Sequence, residues 1–431
     1  MSNKAAVKQD VKPTLTPKLR FPEFGDAPEW KAIPLKEASM PVVERVGARK
    51  LMPVSISAGI GFVPQAEKFG RDISGNQYQL YTLVRDGDFV YNKGNSLKFA
   101  QGCVYLLQEW GEVAAPNVFI CFRLKEGYSN AFFQNCFEKN THGIQLKRHI
   151  TSGARSNGLL NISKESFFGV KIPTPSPAEQ QKIANCLTSL DEVIAAQRQK
   201  LDALKTHKKG LMQQLFPREG ETQPRLRFPE LRDAGEWEVK TLKSFCRVGD
   251  IDHKMPSSVP DGIPYIMTGD FFGINDIDFD NAKRISSEDY EQLSKKIRPE
   301  FGDIVIARYA SVGAVRYINT NIKFLVSYSC ATIKCNKSEN SKYLYYIFQS
   351  DVIQRKIGLE TNVSSQRNIG IDSIKKLNVF LPTLPEQQKI ADCLTALDDL
   401  IAAQTQKLEA LKTHKKGLMQ QLFPSPAEFE A

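Results

Sequence analysis

Residues 179–217 and 386–424 are two copies of one stretch, EQQKIANCLTSLDEVIAAQRQKLDALKTHKKGLMQQLFP and EQQKIADCLTALDDLIAAQTQKLEALKTHKKGLMQQLFP, identical at 33 of 39 positions. The same offset of 207 residues carries PKLRFPEFGDAPEW (17–30) onto PRLRFPELRDAGEW (224–237). Between these matched flanks the sequences differ almost throughout. A repeated frame with unlike contents points to one structural plan used twice, holding two different surfaces.

Each copy of the 39-residue stretch opens on a capping-box pattern, Ser176-Pro177-Ala178-Glu179 and Thr383-Leu384-Pro385-Glu386. The hydroxyl suits the N3 amide, the Glu can return a bond to the N-cap amide, and proline is tolerated in a first turn. Helices are therefore predicted to start near 177 and 384. Apolar side chains then alternate at spacings of four and three: Ile183, Leu187, Leu190, Ile194, Leu201, Leu204, Leu211 and Leu215, matched by Ile390, Leu394, Leu397, Ile401, Leu408, Leu411, Leu418 and Leu422. This is a heptad seam broken only by Gln197 and Lys208, and by Gln404 and Lys415.

Each helix has the other as its natural partner, and an antiparallel coiled coil follows if the variable domains sit at its opposite ends. Gln197 and Gln404 then fall in adjacent layers, either buried to fix the register or reaching solvent. The basic runs Lys205, His207, Lys208, Lys209 and Lys412, His414, Lys415, Lys416 read as a solvated face, with phosphate or partner contacts as the alternative.

The variable segments both read as mixed α/β of similar length. Strands are predicted at 86–93, 102–107 and 117–124 before a helix at 130–138, and at 302–308, 314–318 and 330–335 before a helix at 341–357. Each domain carries a Gly-Asp, an apolar strand and then a polar loop. Lys93, Asn95 and Ser96 occupy it in the first; Arg308, Tyr309 and Ser311 occupy it in the second. Another polar loop precedes each long helix, with Arg155 and Asn157 in one case and Gln366, Arg367 and Asn368 in the other. These side chains can bond base edges and phosphates, and they are the candidate DNA contacts, although an ordinary turn role is open for each.

Lys and Arg number 58 against 48 Asp and Glu, a net charge of +10 that favours polyanionic partners. No apolar run reaches the roughly 18 residues of a membrane span, and the amino terminus has no apolar signal core, so a cytoplasmic location is expected. The eight cysteines include no CxxC pair and read as free thiols, with Cys186 and Cys393 as small buried side chains in the helices. His142 and His149 read as surface residues. No phosphate loop, dinucleotide fingerprint, HExxH or amino-methyltransferase motif occurs, so no catalytic or metal residue is assigned.

Two variable domains alternating with two near-identical helices, the helix starts PAEQQKIA and PEQQKIA, and the LRFPE…EW lead-in together resemble the specificity subunit of type I restriction-modification enzymes. The resemblance implies two α/β (α+β) target recognition domains, joined and separated by two long helices with internal pseudo-twofold symmetry. The expected order is a flexible tail at 1–16, the first recognition domain at 17–175, a spacer helix at 176–217, a linker at 218–223, the second recognition domain at 224–382, a second spacer helix at 383–424 and a tail at 425–431.

It further implies a non-catalytic subunit that reads an asymmetric, bipartite site in double-stranded DNA, partnered by two modification subunits and two restriction subunits. S-adenosylmethionine, ATP and Mg would belong to those partners, with no cofactor on this chain. The competing readings are a coiled-coil protein scaffold carrying two ligand-binding domains, and a self-contained nuclease or methyltransferase.

Overall fold

The computed structural model describes residues 15–94, 99–150, 160–336, 338–361 and 367–424. They form two compact units, Met1–Ala196 with Leu408–Ala431, and Gln197–Lys407. The division falls inside both long helices, Pro177–Leu215 and Leu384–Leu422. Each unit therefore contains a variable domain, the start of the helix that follows it and the end of the other helix.

In the first unit a four-stranded antiparallel sheet runs Ser39–Pro41, Ile120–Leu124, Asp88–Asn92, Cys103–Leu106. Phe89 and Tyr91 on the central strand are fully buried and pack under the helix Asn130–Glu138, whose Phe132, Phe133 and Phe137 close the core. A second sheet orders Gly61–Pro64, Met52–Ser57, Glu112–Ala115 and Thr82–Arg85, with the middle two parallel. The pair Lys31–Pro34 and Lys171–Thr174 ties the lead-in to the strand that feeds the long helix.

The second unit repeats this topology with other residues. Its four-stranded sheet runs Cys246–Gly249, Cys330–Cys335, Ile304–Ala307, Val315–Tyr317. A smaller sheet again has a parallel pair, Ile263–Ile266 with Leu325–Val326. Glu238–Thr241 pairs with Asn378–Leu381 as the tie. The helix predicted over 341–357 is two helices, Ser341–Phe348 and Asp351–Leu359. Ser350 causes the break: its hydroxyl donates to the Ile347 carbonyl at 2.6 Å and accepts the Ile353 amide, capping a new helix.

The long helices pair antiparallel within each unit. In the second unit Gln197 meets Gln404 while Lys208, further along, meets Asp398, earlier in its helix. In the first unit Asp191 meets Lys415, and Ile183 and Leu187 share a core with Leu418 and Leu422. Ile390, Leu394, Ile401, Leu201 and Leu408 are buried as the heptad reading requires, and Leu190, Ile194, Leu204, Leu397 and Leu411 are half-buried.

The two polar breaks in the seam prove to be contacts. Gln197 is buried, and its amide donates to Gln404 Oε1 at 2.9 Å and to the Gln404 carbonyl at 3.2 Å. Lys208 is buried too, paired with Asp398 at 2.6 Å, which also accepts the Tyr346 hydroxyl at 2.9 Å. The solvated-face reading therefore fails for Lys208, and for Lys415, which pairs with Asp191 and Glu138.

Several other expectations need correction. The first capping box is only half made, since the Glu179 amide reaches the Ser176 hydroxyl at 3.4 Å but the Glu179 carboxylate turns to Arg20 and Trp30, while at the second the Glu386 amide goes to the Thr383 carbonyl at 2.9 Å and the Glu386 carboxylate to Arg227. His142 is buried among aromatic rings, 5.4 Å from Phe137 and 6.1 Å from Tyr91 by centroid, and neither ring nitrogen has a partner. Cys186 and Cys393 are half-buried rather than buried. The tail expected at 1–16 lies outside the described residues except Leu15 and Thr16, and Leu15 packs against the core. Residues 425–431 also lie outside them.

Candidate nucleic-acid interface

The frame that carries the site is held by the residues the two copies share. Arg20 grips Glu179 with Nε to Oε1 and Nη2 to Oε2, both 2.7 Å, and Arg227 grips Glu386 at 2.8 and 2.6 Å. These hydrogen bonds hold both guanidinium groups above their ordinary pKa. The next residue of each helix, Gln180 or Gln387, accepts the amide of the N-cap residue of the variable domain's own helix, Ser129 at 3.1 Å or Asn340 at 2.9 Å. The repeated EQ therefore docks lead-in, variable domain and spacer at one point.

On this frame the Gly-Asp turns are structural. Gly87 and Gly302 have φ of 92° and 89°, a region that favours glycine. Asp88 is fully buried, accepts the Arg85 amide and pairs with Arg123 at 2.6 Å. Asp303 accepts the Glu300 amide at 2.6 Å and pairs with Lys334, while burial pushes its carboxyl upward. Both turns aim the following strand at a loop.

In the second domain the two predicted polar loops meet there, and in the first the described residues beside them, Lys93 and Leu160, do. The Lys93 carbonyl accepts the Leu160 amide at 2.9 Å, and the Arg308 carbonyl accepts the Ile369 amide at 3.0 Å. Tyr309 and Asn368 additionally form an antiparallel β-bridge. Lys93 is half-buried, while Asn95, Ser96, Arg155, Asn157 and Gln366 lie outside the described residues. Tyr309 and Asn368 are half-buried, and Ser311 and Arg367 are exposed.

Arg308 departs from its expected role. Its guanidinium is buried, paired with Asp250, and donates to the carbonyls of Ile369 at 3.1 Å and Tyr328 at 3.2 Å. A side chain so occupied braces the loop from below and is not available to a groove. It also lies 5.6 Å from the Tyr309 ring. Sequence reasoning missed Asp250, His253 and Tyr328: exposed His253 stacks on Tyr328 at 4.6 Å, and Tyr328 meets Tyr309 edge-on at 6.3 Å. No local pattern could have found this group, because it assembles from three segments, with Arg308 58 residues from Asp250 and 20 from Tyr328. Among the described residues no cluster of His, Cys, Asp and Glu could hold a metal ion, and no helix is long and apolar enough to cross a membrane.

The family model for the type I restriction modification DNA specificity domain matches residues 69–206 and 234–413, one match on each unit's variable domain and helix. The chain belongs to that family. The type I restriction enzyme MjaVIII specificity subunit of Methanocaldococcus jannaschii is 23% identical over 291 residues, covering 65% of this chain and 68% of the relative. The putative MjaX specificity subunit of the same organism is 26% identical over 272 residues, covering 61% and 60%.

Two solved structures share the fold. The type I restriction-modification S subunit from M. genitalium has a TM-score of 0.58 at 14% identity, over 95% of this chain and 99% of that one. A chain from a structure concerned with assembly and conformational transition of the type I restriction-modification system has a TM-score of 0.54 at 17% identity, over 93% and 99%. The family assignment does not favour the scaffold reading.

Proposed function

We propose that this chain is the DNA-recognition subunit of a type I restriction-modification complex, and that each variable domain reads one half of an asymmetric bipartite site. One observation carries the reading: a duplicated frame, with the Arg20–Glu179 ion pair repeated as Arg227–Glu386, presents loops of different chemistry. Tyr309, Ser311, Arg367 and Asn368 offer donors, acceptors and a ring face on the second domain. Lys93, with Asn95, Ser96, Arg155 and Asn157, is the corresponding set on the first. The long helices serve as spacers and as docking elements for two modification subunits.

The chain itself is non-catalytic in this reading. Methyl transfer from S-adenosylmethionine and ATP- and Mg-dependent cleavage belong to modification and restriction subunits. The deciding experiment replaces residues 40–165 with the equivalent domain of another specificity subunit, pairs the chimaera with its modification partner, and maps the methylated adenines. One half of the site should change. A change in both halves, or in neither, overturns independent readers.

A further inference from the structure

The second unit contains a pair of thiols that the first lacks. Cys246 opens the edge strand of the four-stranded sheet, and its register partner on the neighbouring strand is Cys335. The Phe245 carbonyl accepts the Asn336 amide at 3.0 Å. Hydrogen-bonded and non-hydrogen-bonded pairs alternate along an antiparallel ladder, so the next pair inward, Cys246 with Cys335, is a non-hydrogen-bonded one. At such pairs the Cα atoms approach to about 4.5 Å and the side chains lie closest, within the range that a disulfide spans. The Cys246 thiol donates to Cys335 Sγ at 3.1 Å. In the first unit the same register holds Ser39 opposite Leu124, and the Ser39 hydroxyl donates to the Leu35 carbonyl at 2.7 Å instead.

We infer that Cys246 and Cys335 form a reversible oxidation site, closed by low-molecular-weight disulfides such as oxidised glutathione, that staples the second variable domain and not the first. Cys335 is half-buried whereas Cys246 is buried. The hydrogen bond to Cys335 and then burial hold the Cys246 thiol well above its ordinary pKa, so attack starts at Cys335. The Cys335 thiolate displaces one glutathione thiolate and forms a mixed disulfide. Cys246, losing its proton to solvent, then attacks the Cys335 sulfur and expels the second glutathione. Two protein thiols are oxidised to one disulfide, and one glutathione disulfide is reduced to two thiols. The linkage closes most of the second variable domain into one loop, since its two ends are 89 residues apart. This inference does not depend on the DNA-reading assignment.

The test uses the folded full-length chain, incubated with oxidised glutathione without denaturant, quenched by alkylation and analysed by peptide mass. The expected result is loss of two of the eight alkylatable thiols, with a linked peptide pair containing Cys246 and Cys335 that dithiothreitol separates. C246S should instead stop at the mixed disulfide, carrying one glutathionyl group on Cys335. Failure of the folded chain to form the 246–335 linkage, its appearance only after denaturation, or equal oxidation of other cysteines overturns the inference.

Discussion

Trp30 donates its indole N–H to Glu179 Oε1 at 3.2 Å, the same carboxylate that Arg20 holds, whereas Trp237, its counterpart, has an indole nitrogen with no hydrogen-bond partner. The two docking points are thus equivalent in their ion pairs but not in their full satisfaction. Both carboxylates are 1% exposed, so each is a buried charge that depends on its arginine.

Removing one partner from such a pair strands the other. R20A and R227A should each cost about 3 kcal/mol of unfolding free energy, and R20K, which keeps the charge but loses the fork, distinctly less. Urea denaturation of the purified chain checks this, and a loss below about 1 kcal/mol for R20A would show that the lock is ornamental.

The buried amide pair between the helices makes a prediction with two signs. Q197L alone leaves the Gln404 side chain without its donor and should destabilise by about 1–3 kcal/mol. Q197L/Q404L should recover that loss or exceed it, at the expense of a uniquely specified register. A double-mutant cycle in urea measures the coupling, and additive single effects would argue against a direct pair.

His142 gives the first unit an acid sensitivity. Burial lowers its pKa to about 4, against about 6.5 in an unfolded chain. Above the unfolded value both states are neutral and the residue contributes nothing to pH dependence. Between 6.5 and 4 the unfolded chain takes up a proton that the folded chain refuses, so stability falls with pH, by about 3 kcal/mol in all, and then levels. H142L should flatten that part of the stability profile, and an unchanged profile would refute the assignment.

The two arginines in the polar loops of the second domain should separate by role. R308A removes the buried partner of Asp250 and leaves that carboxylate to Lys296, which should cost about 1–3 kcal/mol of stability, while exposed Arg367 should tolerate alanine with no change in melting temperature. R367A should instead weaken binding of duplex DNA carrying the mapped site by about 1–3 kcal/mol and relax specificity only in the second half. Calorimetry and fluorescence anisotropy on the same preparations provide both readouts.

What the sequence disclosed divides along the range of the interactions. The long helices were legible because heptad spacing is local, and the strand around Phe89 because an apolar run after Gly-Asp is local as well. Lys208 misled because its partner, Asp398, lies 190 residues away. A lysine on a heptad seam looks like an interruption until that carboxylate is seen. Glu179 misled for a related reason: a capping box is the best partner it has nearby, yet Arg20 and Trp30 outcompete the N-cap amide once the chain folds. Arg308 sits in a polar loop that invites a DNA role, and only Asp250, 58 residues earlier, shows that its charge is already taken.

The Leu19 amide donates to the Gln421 carbonyl at 3.0 Å, and Phe423 packs edge-on against Trp30 at 6.1 Å, so the lead-in of the first unit is completed by the end of the second long helix. The second unit draws on one unbroken stretch, 197–407, and is specified in full before residue 408 is added. On the ribosome, the half that is made first must therefore finish last. Its aromatic floor stays uncovered until residues 408–424 are made, and a chain cut before residue 408 would keep one sound unit and leave the other open.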